Sequence, residues 1–208
     1  MNEQHIAGHY RSLLNEFGDT ADSAQWSDKK SQFRRFKVLN KIGDLAGNSV
    51  LDYGCGCGAF AQYLNESNQS PSLYCGVDLV EEFFEYARLK QPNGIFCRPD
   101  QLKQNSSFDY SFVSGVFNNK FDTSSQFWRE TISYLFGITQ KGLAFNMLST
   151  FVEYRDPDLY YVDPCVVFEF VKTQVSPYVS IHHDYLPRSD SYPYEFTVFV
   201  RKDPVNID

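Results

Sequence analysis

The chain has no run of lysines and arginines, no apolar stretch approaching about 18 residues, no basic-then-apolar leader at its start and no cysteine framework. Each absence removes a class of function. Phosphate backbones are held mainly by Lys and Arg, and a net charge of −7 with a pI of about 5.1 offers them little, so no nucleic-acid partner is expected. Without a long apolar run or a leader, no membrane partner is expected either, and the chain reads as cytoplasmic. The five cysteines are odd in number and fall mostly in or beside expected strands and a glycine loop. That usage fits reduced thiols better than disulfides. No internal repeat or low-complexity tract is present.

What is there is a chain of 208 residues, 42% hydrophobic, long enough to bury one sizeable core and short for two. A single domain over 1–208 is expected. Apolar spacing predicts helices over 3–17 and 28–43, the second set by Phe33, Phe36, Val38, Leu39 and Ile42 with Ser27 as its cap. After residue 48, strand and helix signals alternate as in a parallel α/β sheet. Strands are expected at 49–53, 72–78, 94–98, 108–115 and 142–148, with helices at 58–66, 80–90 and 123–136. Asp163 and Pro164 then mark the start of another helix, and two last strands, YVSIHHDY and YEFTVFVRK, flank a Pro/Ser loop suited to a hairpin.

The densest signal is VLDYGCGCGAF at 50–60, an apolar strand that ends in Asp52 and runs into Gly54, Cys55, Gly56 and Gly58. Glycines let backbone approach a ligand closely, and Asp78 at the end of the next strand can accept hydrogen bonds from a ribose diol. Two cofactor classes compete for this loop. Gly54, Gly56 and Ala59 satisfy the G-x-G-x-x-A dinucleotide pattern of an NAD(P)-dependent oxidoreductase, but Asp52 beside a pyrophosphate would be repulsive. S-adenosylmethionine carries no phosphate; its ammonium and sulfonium favour an acid beneath the loop, while helix-terminal amides can receive its carboxylate.

The D-x-G-x-G-x-G pattern of Asp52, Gly54, Gly56 and Gly58 resembles the first motif of Rossmann-like (class I) S-adenosylmethionine-dependent methyltransferases. The resemblance extends over roughly 28–201. It implies that Asp78, with Leu79, holds the ribose, that Asp100 with Gln101 and Leu102 receives the adenine, and that Ser114, Gly115, Val116, Phe117 and Asn118 line the reactive end. It also implies a seven-stranded, doubly wound sheet of order 3-2-1-4-5-7-6 with strand 7 antiparallel. The domain then divides into an N-terminal helical cap (1–47), a cofactor-binding core (48–148), an acceptor-side insert (149–176) and a C-terminal hairpin (177–208).

Plainer roles stand beside these. Asp52 could contact cofactor or only brace loop amides, Asp78 could cap a helix, and Asp100 could sit in an exposed turn. Cys55 and Cys57 form C-x-C without a second pair, which argues against zinc, so no metal is expected; Cys75, Cys97 and Cys165 read as small apolar fillers.

Ligands of such sheets lie at the carboxyl ends of the parallel strands, which directs attention to His182, His183, Asp184 and Tyr185 and to Tyr194 and Glu195. A histidine can remove or relay a proton near neutrality, so His182 and His183 are the catalytic candidates; on a regular strand they point to opposite faces, so at most one faces the pocket. Packing within the sheet is their alternative role. In the segment 149–163, Tyr154, Arg155, Tyr160 and Tyr161 could grip a polar or ring-bearing acceptor, or form a lid core. Trp26 and Arg35 belong to the helical preface, where Arg35 reads as a solvated helix-face arginine rather than a partner for a carboxylate. Asn118 and Asn119 lack the D/N-P-P-Y setting of enzymes that methylate amino groups of nucleic acid. The expected activity is methyl transfer to a small molecule, at a hydroxyl or carboxylate of a sugar or secondary metabolite, with a non-catalytic S-adenosylmethionine-binding scaffold as the alternative.

Overall fold

Residues 3–20, 28–103 and 105–206 are described by the computed structural model. Two helices lead the chain, α1 (Glu3–Phe17) and α2 (Lys29–Leu39), the latter continued by a 3₁₀ turn at Asn40–Ile42. Trp26 and Ser27 lie outside the described residues; α2 is capped by Asp28, whose Oδ1 accepts from the Ser31 amide at 2.7 Å. Strands and helices then alternate: β1 (Ser49–Tyr53), α3 (Ala59–Glu66), β2 (Leu73–Val77), α4 (Phe83–Lys90), β3 (Ile95–Cys97), β4 (Phe108–Val113), α5 (Ser124–Gly137) and β5 (Thr139–Ser149). After β5 come the two-residue β6 (Tyr161–Val162), α6 (Pro164–Phe170), β7 (Tyr178–His182) and β8 (Glu195–Arg201).

The strands are apolar on both sides, as parallel strands covered by helices must be. In β1, Leu51 joins Val77, Val113 and Phe145 in a core closed by Trp128, Ile132 and Leu135 of α5 and Val167 of α6. Its neighbour Val50 points the other way, to Phe112 and Phe199, under Phe36 and Leu39 of α2 and Phe60 and Leu64 of α3. This alternation is the two-residue period of a strand made visible in packing. The sheet order is β3-β2-β1-β4-β5-β8-β7, with β8 antiparallel to both its neighbours. Expected strand 6 is β7 and expected strand 7 is β8, so the implied order holds.

One strand was not expected. β6 pairs in parallel with the end of β5, Leu148 opposite Tyr161 and Ser149 opposite Val162. It forms because β5 is 11 residues long and outruns the other parallel strands, leaving backbone groups there to be paired. The helix after Asp163 begins as expected, with the Asp163 carboxylate accepting from the Cys165 amide at 2.8 Å and Pro164 in its first turn.

Candidate active site

At the carboxyl ends of β1, β2 and β4 the chain turns sharply three times, and the turns enclose a cavity of about 830 Å³. Its floor is the glycine loop. Gly54, Gly56 and Gly58 all have positive φ, at 84°, 48° and 78°. The amides of Gly54 and Cys55 both donate to the Val77 carbonyl, at 2.7 and 3.0 Å, which ties the loop to the end of β2. Two glycines show why side chains are excluded. A Cβ on Gly58 would lie 2.9 Å from the Ala87 Cα, so its absence lets α3 start against α4. Around Gly56 a Cβ would meet nothing within 4 Å, so that backbone faces open space where a ligand can approach.

Asp78 stands at the rim of this space. Its carboxylate accepts from the Gly56 amide at 2.9 Å and the Val80 amide at 3.1 Å. A carboxylate has about four acceptor positions, so two amide bonds leave room for a diol. Burial raises its pKa from 3.8 to about 6, and the amide bonds counter part of that rise. Asp52 lies lower, only 3% exposed, accepting at 2.5 Å from the Tyr74 hydroxyl. Burial lifts it to about 7, with Asp78 adding to the rise and Tyr74 opposing it. Two buried carboxyls with raised pKa values would gain from a cationic ligand. Among the described residues, no group of three or more His, Cys, Asp or Glu is arranged to hold a metal.

Of the residues expected to bind cofactor, Asp52, Gly54, Cys55, Gly56, Asp78, Leu79, Ser114, Gly115 and Val116 line this cavity. Gly58 acts just behind it, as the first residue before α3. Asp100, Gln101 and Leu102 do not line it, although their neighbour Pro99 does. Asp100 is exposed and paired with Arg98 at 3.2 Å, the Gln101 side chain accepts from the Arg98 amide at 2.9 Å, and Leu102 is buried in the core. Residues with no warning in the sequence also line the space: Tyr10 of α1, Phe83, and Lys90, whose ammonium donates to the Cys57 carbonyl at 2.8 Å and pairs with Asp19.

A second cavity, of about 1380 Å³, opens beside the first, and both are lined by Ile6, Tyr10, Gly115, Asn119 and Phe121. Its far wall is the segment after β5, which backbone bonds stitch to the loop after β4: Tyr160 N to Asn118 O at 2.8 Å, Lys120 N to Asp158 O at 3.0 Å. Asn118, Tyr154, Tyr160 and Tyr161 line this cavity, as do Tyr192 and Tyr194 of the hairpin loop. Arg155 does not; its guanidinium donates to the Thr150 carbonyl at 2.7 Å. Tyr154 is 69% exposed, whereas Tyr160 is half-buried and packs against the core beneath α5.

The histidines fall elsewhere. His182, at the end of the edge strand, packs on Phe199 with ring centroids 4.6 Å apart, and burial lowers its pKa. His183 lies on the opposite face, near Phe196, with Nε2 at 2.9 Å from the Pro193 carbonyl. The opposed faces are as the strand period requires, and neither residue, nor Asp184, lines either cavity.

Arg35 corrects an expectation outright. It is 3% exposed, not solvated, and donates to Glu195 Oε2 at 2.8 Å, the Ser31 carbonyl at 2.9 Å and the Tyr194 hydroxyl at 2.8 Å. Burial works against its charge, but Glu195 and Tyr194 more than offset that and hold the pKa above the ordinary value. Glu195 in turn accepts from Asn146 at 3.1 Å and from Tyr185, whose burial beside Glu195 pushes its hydroxyl pKa well up, at 2.9 Å. Glu195 and Tyr185 are thus interior groups behind the cavity wall. The helical period placed Arg35 on α2 but could not show that β8 supplies an acid opposite it.

Comparison with known proteins agrees with this geometry. Residues 51–135 match a family described as "Methyltransferase domain". The Mycobacterium tuberculosis protein "Putative methyltransferase Rv1506c" is 33% identical over 164 residues, covering 74% of this chain and 93% of that one. Among solved structures, magnesium protoporphyrin IX methyltransferase from Synechocystis with bound S-adenosylmethionine superposes with a TM-score of 0.66 at 16% identity over 98% of each chain. The N-methyltransferase NodS from Bradyrhizobium japonicum, bound to S-adenosylhomocysteine, gives 0.66 at 16% identity over 93% of this chain and 97% of its own. With a glycine floor, a buried acid at the end of β2 and a relative that shares most of the chain, the protein belongs to the Rossmann-like S-adenosylmethionine-dependent methyltransferases and S-adenosylmethionine is its cofactor.

Proposed function

We propose that the chain moves a methyl group from S-adenosylmethionine to a small-molecule acceptor that occupies the second cavity. The observation that carries this reading is the shared wall: Tyr10, Gly115 and Asn119 line both spaces. Bound there, the sulfonium cofactor supplies an activated methyl group and its own leaving group. The protein's task is then placement of the acceptor in line with that group.

On the donor side, Asp78 accepts from the ribose, the Gly54–Gly58 loop gives the methionine end close backbone contact, and Asp52 offsets positive charge from below. Ser114, Gly115 and Val116 face the reactive end. On the acceptor side, Tyr154, Tyr160 and Tyr161 offer ring faces, while Asp156, Asp158 and Asn118 offer acceptors for hydroxyl protons. The buried side-chain oxygen of Asn118 has no partner among the described residues. Leaving such an atom unsatisfied costs roughly 1–3 kcal/mol, and an acceptor's hydroxyl would remove that cost. These features support a hydroxyl-bearing acceptor such as a sugar or ring-containing metabolite. Tyr10 is held by Asn119, whose amide donates to its hydroxyl at 2.9 Å, and burial raises its pKa, which suits orienting an acceptor better than deprotonating it.

The test is S-adenosylhomocysteine formation, followed by mass spectrometry, when methyl-labelled S-adenosylmethionine is mixed with fractionated polar metabolites. Label is expected in a low-mass hydroxylated product. Cofactor binding without product from any small-molecule fraction would return the protein to a binding scaffold and end this proposal.

A further inference from the structure

The buried charges behind the acceptor cavity form a chain of contacts that ends at the boundary between the two cavities. It begins on α2, where Arg35 lines the acceptor cavity. Arg35 donates to Glu195 Oε2 at 2.8 Å; Glu195 Oε1 accepts from Asn146 Nδ2 at 3.1 Å; Asn146 Oδ1 accepts from the Gly115 amide at 2.9 Å. Every side chain in this relay is at most 3% exposed. Gly115 itself has φ of 78° and is one of the residues common to both cavities. A second arm joins at Glu195, where Tyr185 donates at 2.9 Å and also meets the Thr197 hydroxyl at 2.9 Å, while Tyr194 takes another Arg35 donor at 2.8 Å.

Such an arrangement is not needed to hold β5 and β8 together. Their backbone ladder runs without a break from Gly142 opposite Arg201 to Leu148 opposite Glu195. A buried ion pair is weak evidence of stabilisation, because desolvating two charges offsets most of their attraction. What the pair does supply is direction: a carboxylate with both oxygens engaged fixes the Asn146 amide in one orientation, with its carbonyl toward Gly115. The alternative orientation would turn an NH₂ group toward the Gly115 N–H, donor against donor.

We infer that Glu195 and Asn146 are positioning residues that set the Gly115 amide, and through it the wall where donor and acceptor meet, and that Arg35 makes this setting depend on α2. Events at the acceptor wall near Arg35 and Tyr194 are thereby felt at the donor's reactive end. The inference rests on the methyltransferase reading of the two cavities. It assigns these three residues no direct contact with the reacting atoms.

The experiment uses the full chain with S-adenosylhomocysteine as probe. The variants R35Q, E195Q, R35Q/E195Q and N146A are compared by the ¹⁵N–¹H resonance of Gly115 and by calorimetric titration of the product. Circular dichroism and thermal melting identify the variants that remain folded, and the double variant, which leaves no uncompensated buried charge, keeps the test open should either single variant fail to fold. In every folded variant the Gly115 resonance is expected to move and the affinity for S-adenosylhomocysteine to fall about fivefold or more, typical of coupling between sites. Adding N146A to the double variant is expected to cause no further loss, since the relay is already broken upstream. A Gly115 resonance and affinity unchanged in folded R35Q/E195Q overturn the inference, as would effects of N146A and the double variant that simply add. Failure of the parent chain to bind S-adenosylhomocysteine would instead overturn the reading on which it rests.

Discussion

The two cavities share a wall and are built in opposite ways. The proposed donor cavity has its floor in one short loop and the ends of adjacent parallel strands, Asp52 to Cys57, Asp78 and Ser114 to Val116, with side chains of α1, α2 and α4 around it. The proposed acceptor cavity draws on α1, the middle of α2, the loop after β4, the segment after β5 and the hairpin loop near Arg188 and Tyr194. A floor made by consecutive residues is constrained by backbone geometry, whereas walls made by distant segments are constrained only by packing between them. Changes to the first should therefore disable cofactor binding, and changes to the second should alter which acceptor is admitted while the cofactor still binds.

The largest expected effect breaks the donor side alone. Asp78→Ala removes the only ribose-facing carboxylate proposed at the rim, so affinity for S-adenosylmethionine should drop by about 3 kcal/mol or more, beyond 100-fold. Tyr160→Ala, on the acceptor side, should leave that affinity within about 0.5 kcal/mol. Calorimetry on both variants settles the matter, and equal losses would dissolve the distinction between the cavities.

Next comes a contrast within the glycine loop. Gly58→Ala sets a Cβ 2.9 Å from the Ala87 Cα at φ of 78°, so it should destabilise the fold by about 2–3 kcal/mol. Gly56→Ala meets no atom within 4 Å and strains only φ, so it should cost about 1 kcal/mol in stability. Its larger consequence should be weaker cofactor binding. Chemical denaturation and titration of both proteins separate the packing glycine from the ligand-facing one.

A smaller effect concerns pH. Burial raises Asp78 to about 6 and Asp52 to about 7, from 3.8. Each keeps its proton longer in the folded chain than in the unfolded one, so each contributes stability that is complete below about pH 4 and is lost as pH climbs through 6 and 7. Asp52→Asn retains a carbonyl for the Tyr74 hydroxyl and cannot ionise. It should raise the stability of the ligand-free protein at pH 8 by on the order of 1–2 kcal/mol while changing little at pH 4. Melting curves at the two pH values check the sign; a variant that gains equally at both would refute the burial argument.

The smallest effect lies outside both cavities. Arg11 and Glu82 pair at 2.7 Å between α1 and α4, with side chains 43% and 52% exposed. Arg11→Ala should cost at most about 0.5 kcal/mol, because exposed pairs contribute little. The roof formed by α1 is held instead by Ala7 and Leu14, buried against Cys57, Val80 and Phe83. A loss above about 1 kcal/mol in denaturant would show that the pair, not the apolar seam, fastens the roof.

The same division explains what could be read from the amino-acid order. The strands and the glycine loop were legible because period, turn residues and an acid at a strand end are local signals; the strand order came only from the family resemblance that those signals carry. Asp78 was found at once for that reason, and the pairing of Asp52 with Tyr74 was not, since it runs across two strands. Arg35 looked like a surface residue because a helix shows only its own neighbours; Glu195, which buries it, arrives 160 positions later. Tyr10 carried no signal at all, being one aromatic on an amphipathic helix. His182 and His183 attracted notice by their chemistry and their place at a strand end, and neither lines either cavity.

The length of β5 has a consequence beyond the sheet itself. It is paired with β4 and β8 along its body and with β6 at its tip, so the residues from 150 to 160 leave and return at that tip, with a second hold at Asp158 to Tyr160 on the loop after β4. That excursion can lengthen, shorten or change composition while the ladder beneath it keeps its register. Substitutions there can therefore reshape the proposed acceptor wall as an independent part, without moving the strands that carry the glycine loop.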